Sequence, residues 1–283
     1  MTSWNWINGN FVEADRAVVS LNDLALQRGY GLFDFFRTRD GKPLFLQEHL
    51  NRFFNSAKLL YLQPPIEKEA LKTIVLQLIK KNNLSESGVK LTLTGGYSSD
   101  GYTPTTPNLI IQQNEIRVFG VETFQQGIKI ITYPYQRELP QAKTTNYLIG
   151  IWLQKQLQAC GADEVLYQSG GIITEFHRAN VFIVTKDNKL ITPFKNILHG
   201  VTRGNVLKIA QELFVVEERD ILVEELKLAQ EVFLTSTTKR LLPVFEIDGT
   251  PLSRTNPITR VLYREFLKLE EAELTKQTPG VMA

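Results

Sequence analysis

The alternation of apolar and polar positions predicts a mixture of strands and helices in the first part of the chain. Aromatic and β-branched residues surround Asn8-Gly9, which predicts a β-hairpin over residues 4–12. Period-two runs predict strands at residues 32–38, 89–94 and 108–112. Apolar residues at helical spacing predict helices at residues 48–62 and 67–80. Residues 1–113 are therefore predicted to form one small α+β domain.

The second part of the chain shows the same mixture over a longer stretch. Residues 114–127 are polar and lack periodicity, so they are predicted to link two domains. Strands are predicted beyond them at residues 128–133, 164–167, 172–175, 180–184, 190–192 and 232–235. Helices are predicted at residues 144–159, 202–213 and 258–274. Residues 128–283 are therefore predicted to form the larger domain.

Composition and charge exclude several classes of protein. The 283 residues are 43% hydrophobic and 22% charged, as in ordinary globular proteins. The net charge is only +2 and no basic stripe is present, so neither a nucleic acid nor a membrane surface is expected as a partner. No apolar stretch reaches membrane-spanning length, and residues 1–12 lack the pattern of a signal peptide. A cytoplasmic location is expected.

Cysteine and histidine are too scarce to build a metal site. The single cysteine, Cys160, cannot form an internal disulfide and is interpreted as a small buried residue rather than a nucleophile. The three histidines are scattered, without the spacing of metal ligands, so no metal is predicted. Any chemistry must therefore come from other residue types.

Lys143 is the first candidate for chemistry. It is predicted to lie in a loop just before the helix at residues 144–159, which could fix its amine in a cleft. An ammonium is not a nucleophile, so a reactive lysine needs a desolvated place or neighbouring cations. The alternative interpretation is an ordinary surface lysine.

Glu175 is the second candidate, because it closes the predicted apolar strand at residues 172–175. A carboxylate in such a strand needs a partner. The protonated nitrogen of a pyridine ring would be one, since a carboxylate there keeps the ring an electron sink. The alternative is an ordinary ion pair with nearby Arg178.

Two turns and one arginine form a candidate phosphate site. Residues 198–204 place a glycine turn at the start of a helix, whose free amides attract anions. Residues 235–238 present consecutive hydroxyls, and Arg52 could add a charge-assisted hydrogen bond. The alternatives are capped turns that bind nothing and an exposed helical arginine.

Taken in order, these segments resemble the class IV pyridoxal-phosphate aminotransferases, which include branched-chain and D-amino acid aminotransferases and aminodeoxychorismate lyases. Residues 143–148 match the family's Lys-x-x-Asn-Tyr-Leu motif, and residues 200–203 match its Gly-Ile-Thr-Arg turn. Residues 28–37, 48–52 and 174–184 are similar to its substrate strand, His-x-x-Arg helix and glutamate strand. The resemblance covers nearly the whole chain. It implies an α+β, two-domain fold type IV enzyme, with a small N-terminal α/β sandwich and a larger C-terminal pseudo-barrel domain.

The resemblance also implies a role for each matched residue. Lys143 would hold pyridoxal 5'-phosphate covalently and move the substrate α-proton. Tyr147 would hydrogen-bond the phenolate oxygen of the cofactor, Glu175 would bind its ring nitrogen, and Leu198 would pack on its ring. The phosphate would be held by Arg52, the amides of Val201 and Thr202, and Thr237. A homodimer is implied as well, with part of each pocket supplied by the neighbouring subunit.

Departures from the family pattern bear on the substrate. Phe176-His177-Arg178 stand where the family has glycine and small residues, which places bulk and charge near the cofactor. The loop at residues 94–102 contains no arginine, and its Asp100 argues against a site for D-amino acid carboxylates.

The substrate carboxylate and side chain still need partners. Arg37 and Arg178 are the candidates for the carboxylate, with Arg28 behind them, and each could instead form a structural ion pair. Phe33 and Tyr30 could line an apolar side-chain pocket or belong to the core.

These features predict a transaminase that moves amino groups between small or branched-chain L-amino acids and 2-oxo acids. One alternative is a lyase of the aminodeoxychorismate type, which shares the lysine, the glutamate and the phosphate turn. A second is a dimer that has kept the fold for binding or regulation without catalysis. The presence of Lys143, Tyr147 and Glu175 together favours an enzyme.

Overall fold

The computed structural model describes residues 3–276. Within this range the chain forms two compact units. The first contains residues 3–117, 142–146 and 272–276, and the second contains residues 118–141 and 147–271. No helix of residues 3–276 combines the length and apolar character needed to cross a bilayer.

The first unit contains a sheet of six antiparallel strands. Its strands are β1 (Trp4–Ile7), β2 (Asn10–Glu13), β3 (Gly31–Arg39), β4 (Lys42–Pro43), β5 (Glu86–Thr94) and β6 (Leu109–Glu115), in the order β2-β1-β6-β5-β3-β4. Its helices are α1 (Leu24–Arg28), α2 (Leu46–Leu59) and α3 (Lys68–Asn82), with a short 3-10 helix at Ala14–Arg16. The predicted hairpin is confirmed, and Asn8 and Gly9 of its turn both adopt positive φ angles.

The two faces of this sheet have different surroundings. One face is fully buried against α2 and α3, which contribute Leu50 and Val75 to a core that includes Leu32 and Leu91. The opposite face carries Phe33 and Phe35 of β3 together with Lys90 and Thr92 of β5, all of which are half-buried. We call the face of the sheet that carries these four residues the open face.

The segment at residues 142–146 adds to the edge of β3. The amide of Phe33 donates to the carbonyl of Lys143, and the amide of Thr145 donates to the carbonyl of Gly31, both at 2.9 Å. Thr144 forms an antiparallel bridge with Leu32. The prediction of a helix starting at residue 144 was therefore wrong, because pairing with β3 satisfies this backbone instead.

The second unit contains a mixed sheet of ten strands. They are β7 (Ile128–Pro134), β8 (Glu164–Ser169), β9 (Ile172–Phe176), β10 (Asn180–Val184), β11 (Leu190–Thr192), β12 (Val216–Glu218), β13 (Ile221–Leu222), β14 (Glu231–Ser236), β15 (Arg240–Ile247) and β16 (Thr250–Pro251). Their order is β12-β11-β10-β14-β15-β7-β8-β9-β13, with β16 beside β15. The pairs β7–β8, β7–β15 and β11–β12 are parallel.

Six helices accompany these strands: α4 (Val121–Gln126), α5 (Leu148–Trp152), α6 (Gln154–Cys160), α7 (Val201–Leu213), α8 (Val223–Leu228) and α9 (Pro257–Lys276). The predicted strands and the helices at α7 and α9 are confirmed within a few residues. The stretch predicted to link two domains contains α4. The burial predicted for Cys160 was wrong: Leu153 and Leu157 supply the buried side of this segment, and Cys160 is exposed at the end of α6.

Candidate active site

Lys143 is held in the first unit by main-chain contacts on both sides. Its carbonyl accepts from Phe33, and its amide donates to Ser56 Oγ of α2 at 3.2 Å. The antiparallel register of Leu32 with Thr144 places Lys143 opposite Phe33, so both side chains project from the open face. The Nζ atom lies 4.6 Å from the centroid of the Phe33 ring. The amine is thus fixed by a sheet edge rather than by a free loop.

Arg52 lies on α2 and forms a two-point contact with the buried carboxylate of Asp34. Its Nε donates to Oδ2 and its Nη2 to Oδ1, both at 2.8 Å. His49 Nδ1 lies 2.7 Å from Asp34 Oδ1, and because a carboxylate only accepts, this nitrogen carries the hydrogen. Arg52 Nη1 makes no hydrogen bond to residues 3–276 and is available for another anion.

The electrostatics of this trio follow from its burial. Burial disfavours the charge on Asp34, but Arg52 and His49 outweigh it and hold the pKa of this carboxyl well below its usual range. Burial lowers the pKa of His49, although Asp34 opposes the shift, so the imidazole is neutral near pH 7. The net charge of Asp34, Arg52 and His49 together is therefore close to zero, and the guanidinium of Arg52 is their positively charged end.

The other arginines predicted in this unit are engaged in different contacts. Arg37 is 1% exposed on β3, and its Nη2 lies 3.7 Å from Glu86 Oε2. Arg28 at the end of α1 is exposed, and its Nε donates to the carbonyl of Gly101 at 3.1 Å. Asp100 accepts from Ser98, Tyr102 and Thr103 at 2.6–2.9 Å, which organises the loop at residues 94–102.

In the second unit Glu175 is 4% exposed, and both of its oxygens accept hydrogen bonds. Arg137 Nε donates to Oε1 at 2.7 Å, and the amide of Leu198 donates to Oε2 at 2.9 Å. The charged partner is therefore Arg137 and not Arg178, the alternative considered from the sequence. A carboxylate has about four acceptor sites, so a further N–H donor fits. This arrangement suits the protonated nitrogen of a pyridine ring.

The turn before α7 is tied to two strands of the sheet. Leu198 donates to Glu175 of β9, and its carbonyl accepts from Asn180 Nδ2 of β10 at 2.7 Å. A Cβ at Gly200 would lie 2.2 Å from Asn180 Oδ1, so only glycine fits there. The first amides of α7, those of Val201 and Thr202, have no acceptor within the helix and provide donors for an anion.

A second turn offers hydroxyls in the same unit. Thr237 lies between β14 and β15, where Ser236 Oγ accepts from the amide of Lys239 at 3.2 Å. Within the described residues, Oγ1 of Thr235 is buried and has no hydrogen-bond partner. Buried hydroxyls are normally paired, so this atom points to an absent acceptor. The donor set of both turns therefore fits a phosphate group.

Tyr147 directly precedes α5, and its carbonyl accepts from the amide of Ile151 at 3.0 Å. Its side chain is half-buried in the second unit, the unit that also contains Glu175 and Leu198. Of the predicted site residues, the first unit thus contains Lys143, Arg52, Phe33 and Arg37. The second contains Tyr147, Glu175, Arg178, Leu198, Val201, Thr202 and Thr237.

In the unusual Phe176-His177-Arg178 stretch, the first two residues are buried. Phe176 is a core residue, and His177 is buried beside Gly150 of α5, where an added Cβ would lie 3.0 Å from the imidazole. Burial, with a smaller effect of Arg178, lowers the pKa of His177 to about 4. Oε2 of Glu164 lies 2.9 Å from Nδ1 of this ring, and Oε1 of the same carboxylate is paired with Lys239. The stretch therefore contributes a neutral ring rather than a buried cation.

Arg178 lies near the surface, and the described residues contain no candidate metal site. The side chain of Arg178 is 62% exposed, and its Nη2 lies 4.0 Å from Glu164 Oε1. Among residues 3–276, no group of three or more His, Cys, Asp or Glu side chains is placed to hold a metal ion.

Two residues that fix the site, Arg137 and Asp34, were not predicted from the sequence, and Lys90 of the open face was not considered. Asp34 had a usable signal, since a carboxylate in an apolar strand needs a partner just as Glu175 does. Arg137 had none, because its contact with Glu175 spans 38 residues and depends on how the sheet folds. Lys90 alternates with apolar residues in β5, a pattern that is typical of a solvated strand face.

Solved structures with the same fold include three informative cases. A branched-chain amino acid aminotransferase from Escherichia coli has a TM-score of 0.89 and 28% identity, with 96% of both chains covered. The T.th. branched-chain amino acid aminotransferase with pyridoxamine 5'-phosphate has a TM-score of 0.88 and 25% identity, covering 96% of this chain and 95% of that one. A putative 4-amino-4-deoxychorismate lyase from Legionella pneumophila has a TM-score of 0.82 and 28% identity, covering 90% and 97%. The predicted fold, type IV of the pyridoxal-phosphate enzymes, is confirmed.

Sequence comparison gives the family. The profile described as amino-transferase class IV matches residues 31–247. A putative branched-chain-amino-acid aminotransferase of Methanocaldococcus jannaschii is 32% identical over 280 residues, covering 92% of this chain and 94% of the relative. A D-alanine aminotransferase of Staphylococcus epidermidis is 32% identical over 272 residues, covering 93% and 96%. The chain belongs to the class IV aminotransferase family, whose members are pyridoxal-phosphate enzymes, and the predicted enzyme class is confirmed.

Proposed function

We propose that this enzyme uses pyridoxal 5'-phosphate to transfer amino groups between small or branched-chain L-amino acids and 2-oxo acids. The observation that carries the proposal is the position of Lys143. Its amine is fixed over Phe33 by the edge of β3, and no carboxylate among residues 3–276 forms an ion pair with it. A reacting amine must be held in a defined position, whereas an ordinary surface lysine need not be.

The cofactor supplies an aldehyde for the substrate amine and a ring that withdraws electrons from the substrate α-carbon. Nζ of Lys143 would hold the cofactor at rest, and once released it would take the proton from the α-carbon and return it to the cofactor side of the transferred amine. An oxygen of Glu175, fixed by Arg137 and Leu198, would keep a proton on the ring nitrogen. Tyr147 would donate to the phenolate oxygen.

The remaining side chains position the cofactor and the substrate. Leu198 would pack on the ring, and Phe33 would form an apolar wall beside Lys143. Arg52, the amides of Val201 and Thr202, and Thr237 would hold the phosphate. A cofactor held in this way reacts with a bound substrate at a fixed position, which lowers the entropic cost of the transfer.

The substrate class is proposed on two grounds. Asp100 organises the loop at residues 94–102 through its own hydrogen bonds, and no arginine of this loop is present to bind a D-amino acid carboxylate. Relatives and structures with branched-chain activity in their names cover nearly all of the chain. Since a D-alanine aminotransferase is equally similar, stereochemistry is the feature to test first.

A half-reaction tests the proposal directly. The cofactor-loaded protein should be mixed with single L- and D-amino acids, without any acceptor, while the absorbance of the cofactor is followed. Conversion to pyridoxamine phosphate is expected with L-leucine, L-valine and similar donors, and 2-oxoglutarate should restore the original spectrum. A protein that is converted only by D-amino acids, or by no donor, would contradict the proposal.

A lyase reaction is the second candidate, because the Legionella structure named as a putative lyase covers most of this chain. It predicts release of pyruvate and 4-aminobenzoate from aminodeoxychorismate, without any acceptor. Detection of both products, together with a silent half-reaction, would favour the lyase over the transaminase.

We also propose that the enzyme acts as a homodimer in the cytoplasm. Helix α5 exposes Leu148, Ile151 and Trp152, with 63–70% of each residue accessible. Adjacent exposed apolar residues are typical of a surface that binds another protein. A second copy of the chain is the partner that the family resemblance implies.

The dimer proposal predicts that Ile151→Glu weakens self-association at least about tenfold, because it places a charge in an apolar interface. Sedimentation of the cofactor-loaded protein at low micromolar concentration measures the effect. Leu228→Glu is the matched control, since Leu228 is 66% exposed and lies at the end of α8. A monomeric wild type, or equal dissociation of both variants, would contradict the proposed interface.

A further inference from the structure

A buried carboxylate at the start of β8 forms an ion pair with a distant turn of the second unit. Oε1 of Glu164 accepts a hydrogen bond from Nζ of Lys239, which lies between β14 and β15. The two residues are 75 positions apart, and β7 lies between β8 and β15 in the sheet. The side chain of Lys239 therefore reaches past an intervening strand to its partner. We call residues 236–239 the hydroxyl turn.

This ion pair differs from the ion pairs at the surface of the same unit. The side chain of Lys239 is 16% exposed and that of Glu164 is 3% exposed. In the pair of Lys189 with Glu217 the corresponding values are 42% and 34%. A buried pair fixes the positions of both partners, because separating them leaves each charge without a counter-ion in a place with little water. Water and salt weaken this effect for the exposed pair.

Lys239 constrains the hydroxyl turn in two ways. Its amide donates to Ser236 Oγ at 3.2 Å, which closes the turn around Thr237. Its side chain ties the turn to Glu164 of β8. The main-chain contact sets the shape of the turn, and the side-chain contact sets its place on the sheet.

The same carboxylate also contacts the segment that follows Glu175. Oε2 of Glu164 lies 2.9 Å from Nδ1 of His177, two residues beyond Glu175. His177 is neutral near pH 7, because burial lowers its pKa to about 4, and Arg178 is mostly exposed at 4.0 Å from Oε1. Lys239 is therefore the main counter-charge of this carboxylate, which lies between the hydroxyl turn and the strand of Glu175.

We propose that Lys239 is a positioning residue for the phosphate of the cofactor, and that it acts through Glu164 on the place of Thr237. Its ammonium is engaged by the carboxylate, so its effect on the phosphate is exerted by the turn and not by direct contact. The inference rests on the proposed function, because that function assigns the phosphate to Thr237.

Binding of pyridoxal 5'-phosphate and of pyridoxal, which lacks the phosphate, tests Lys239 without turnover. Absorbance titration of the full chain, freed of cofactor, measures both affinities. Lys239→Met keeps most of the side-chain length and removes the charge, so the affinity for pyridoxal 5'-phosphate should fall about tenfold, the effect of one misplaced hydrogen bond. The affinity for pyridoxal should stay within about twofold of the wild type, because pyridoxal makes no phosphate contact. Lys239→Arg should retain more affinity, because it keeps the cation.

Two combined variants test the route through Glu164 and Thr237. Thr237→Val should weaken binding of pyridoxal 5'-phosphate, and adding Lys239→Met to it should cost less than in the wild type, because both changes act on one contact. Glu164→Gln combined with Lys239→Met removes both buried charges and should give the same selective loss, even where Lys239→Met alone does not fold. Lys189→Met is the matched control, and it should bind both aldehydes as the wild type does.

The proposal is overturned if the folded Lys239 variants bind pyridoxal 5'-phosphate within about twofold of the wild type, a change too small for a misplaced hydrogen bond. It is also overturned if they lose affinity for pyridoxal equally, which would indicate a general effect on the fold, or if Thr237→Val has no effect. A protein that shows the selective loss but converts no amino donor would contradict the proposed transamination while leaving the positioning role supported. The two hypotheses therefore fail through different results.

Discussion

Lys143→Ala is expected to lower the rate of transamination at least about 10⁴-fold, the upper range for a single acid–base group. In the proposed function one amine both holds the cofactor and moves the α-proton, so the expected effect is large. Single-turnover conversion of the cofactor by an L-amino donor measures the loss. Borohydride reduction of the cofactor-loaded wild type should tag the peptide that contains Lys143, and no other.

Two further measurements show that the lost amine is responsible. Lys155→Ala is the matched control, because Lys155 is exposed on α6, and it should retain full activity. Added methylamine should partly restore turnover of Lys143→Ala, since a small amine can enter the space left by the side chain. Retention of more than about 1% of the activity by Lys143→Ala would be incompatible with an essential acid–base group.

The regular elements of the first unit could be predicted because their patterns are strong. The apolar spacing in α2 and α3 gives a buried stripe, and the two predicted strands at residues 32–38 and 89–94 form most of β3 and β5, which pair antiparallel along their full length. The segment at residues 142–146 could not be predicted. Its sequence is compatible with a helix start, and only the unpaired edge of β3 makes it extended.

Strand β15 shows a different limit of sequence reading. Pro243 within Arg240–Ile247 argues against a central strand, because proline lacks the amide that a sheet requires. In the structure β15 pairs with β14 through Pro243, while its pairing with β7 begins only at Val244. The missing amide therefore removes no hydrogen bond from the β7 side.

The site shows the same division between local and long-range information. Short motifs indicated Lys143, Glu175 and the turn at Gly200, because each depends on its immediate neighbours. The partners that fix these groups, Arg137 for Glu175 and Asp34 for Arg52, come from distant segments. A sequence reveals that a buried charge needs a partner, but the identity of the partner depends on strand order and register.

Asp34→Asn is expected to destabilise the first unit by about 3–5 kcal/mol, the cost of removing one member of a buried ion pair. Arg52 would keep its charge without a carboxylate beside it, and the single amide oxygen of asparagine could not replace both oxygens that now accept from Arg52 and His49. The midpoint of urea or thermal unfolding of the cofactor-free protein measures this loss. Asp15→Asn, at an exposed carboxylate of the same unit, should leave the midpoint unchanged.

The effect of Asp34 should depend on pH in a defined direction. Its pKa in the folded protein is held below the value of about 4 expected in the unfolded chain. Above that value both states are ionised, so the stabilisation is fully present at neutral pH; below it the unfolded chain binds a proton first and the stabilisation is lost. The difference in unfolding free energy between wild type and Asp34→Asn should therefore be constant from about pH 5 to 8 and shrink as the pH falls below about 4.

Loss of Asp34 should also weaken the binding of the cofactor, because it changes the orientation of Arg52. The carboxylate fixes Nε and Nη2 of this guanidinium. If Nη1 binds the phosphate as proposed, Asp34→Asn should lower the affinity for pyridoxal phosphate as well as the stability of the protein. Arg52→Met should lower the affinity for the cofactor to a similar extent. Unlike Asp34→Asn, it removes the positive charge that is paired with Asp34. Unchanged cofactor affinity in a folded Asp34→Asn protein would show that the orientation of Arg52 does not depend on this carboxylate.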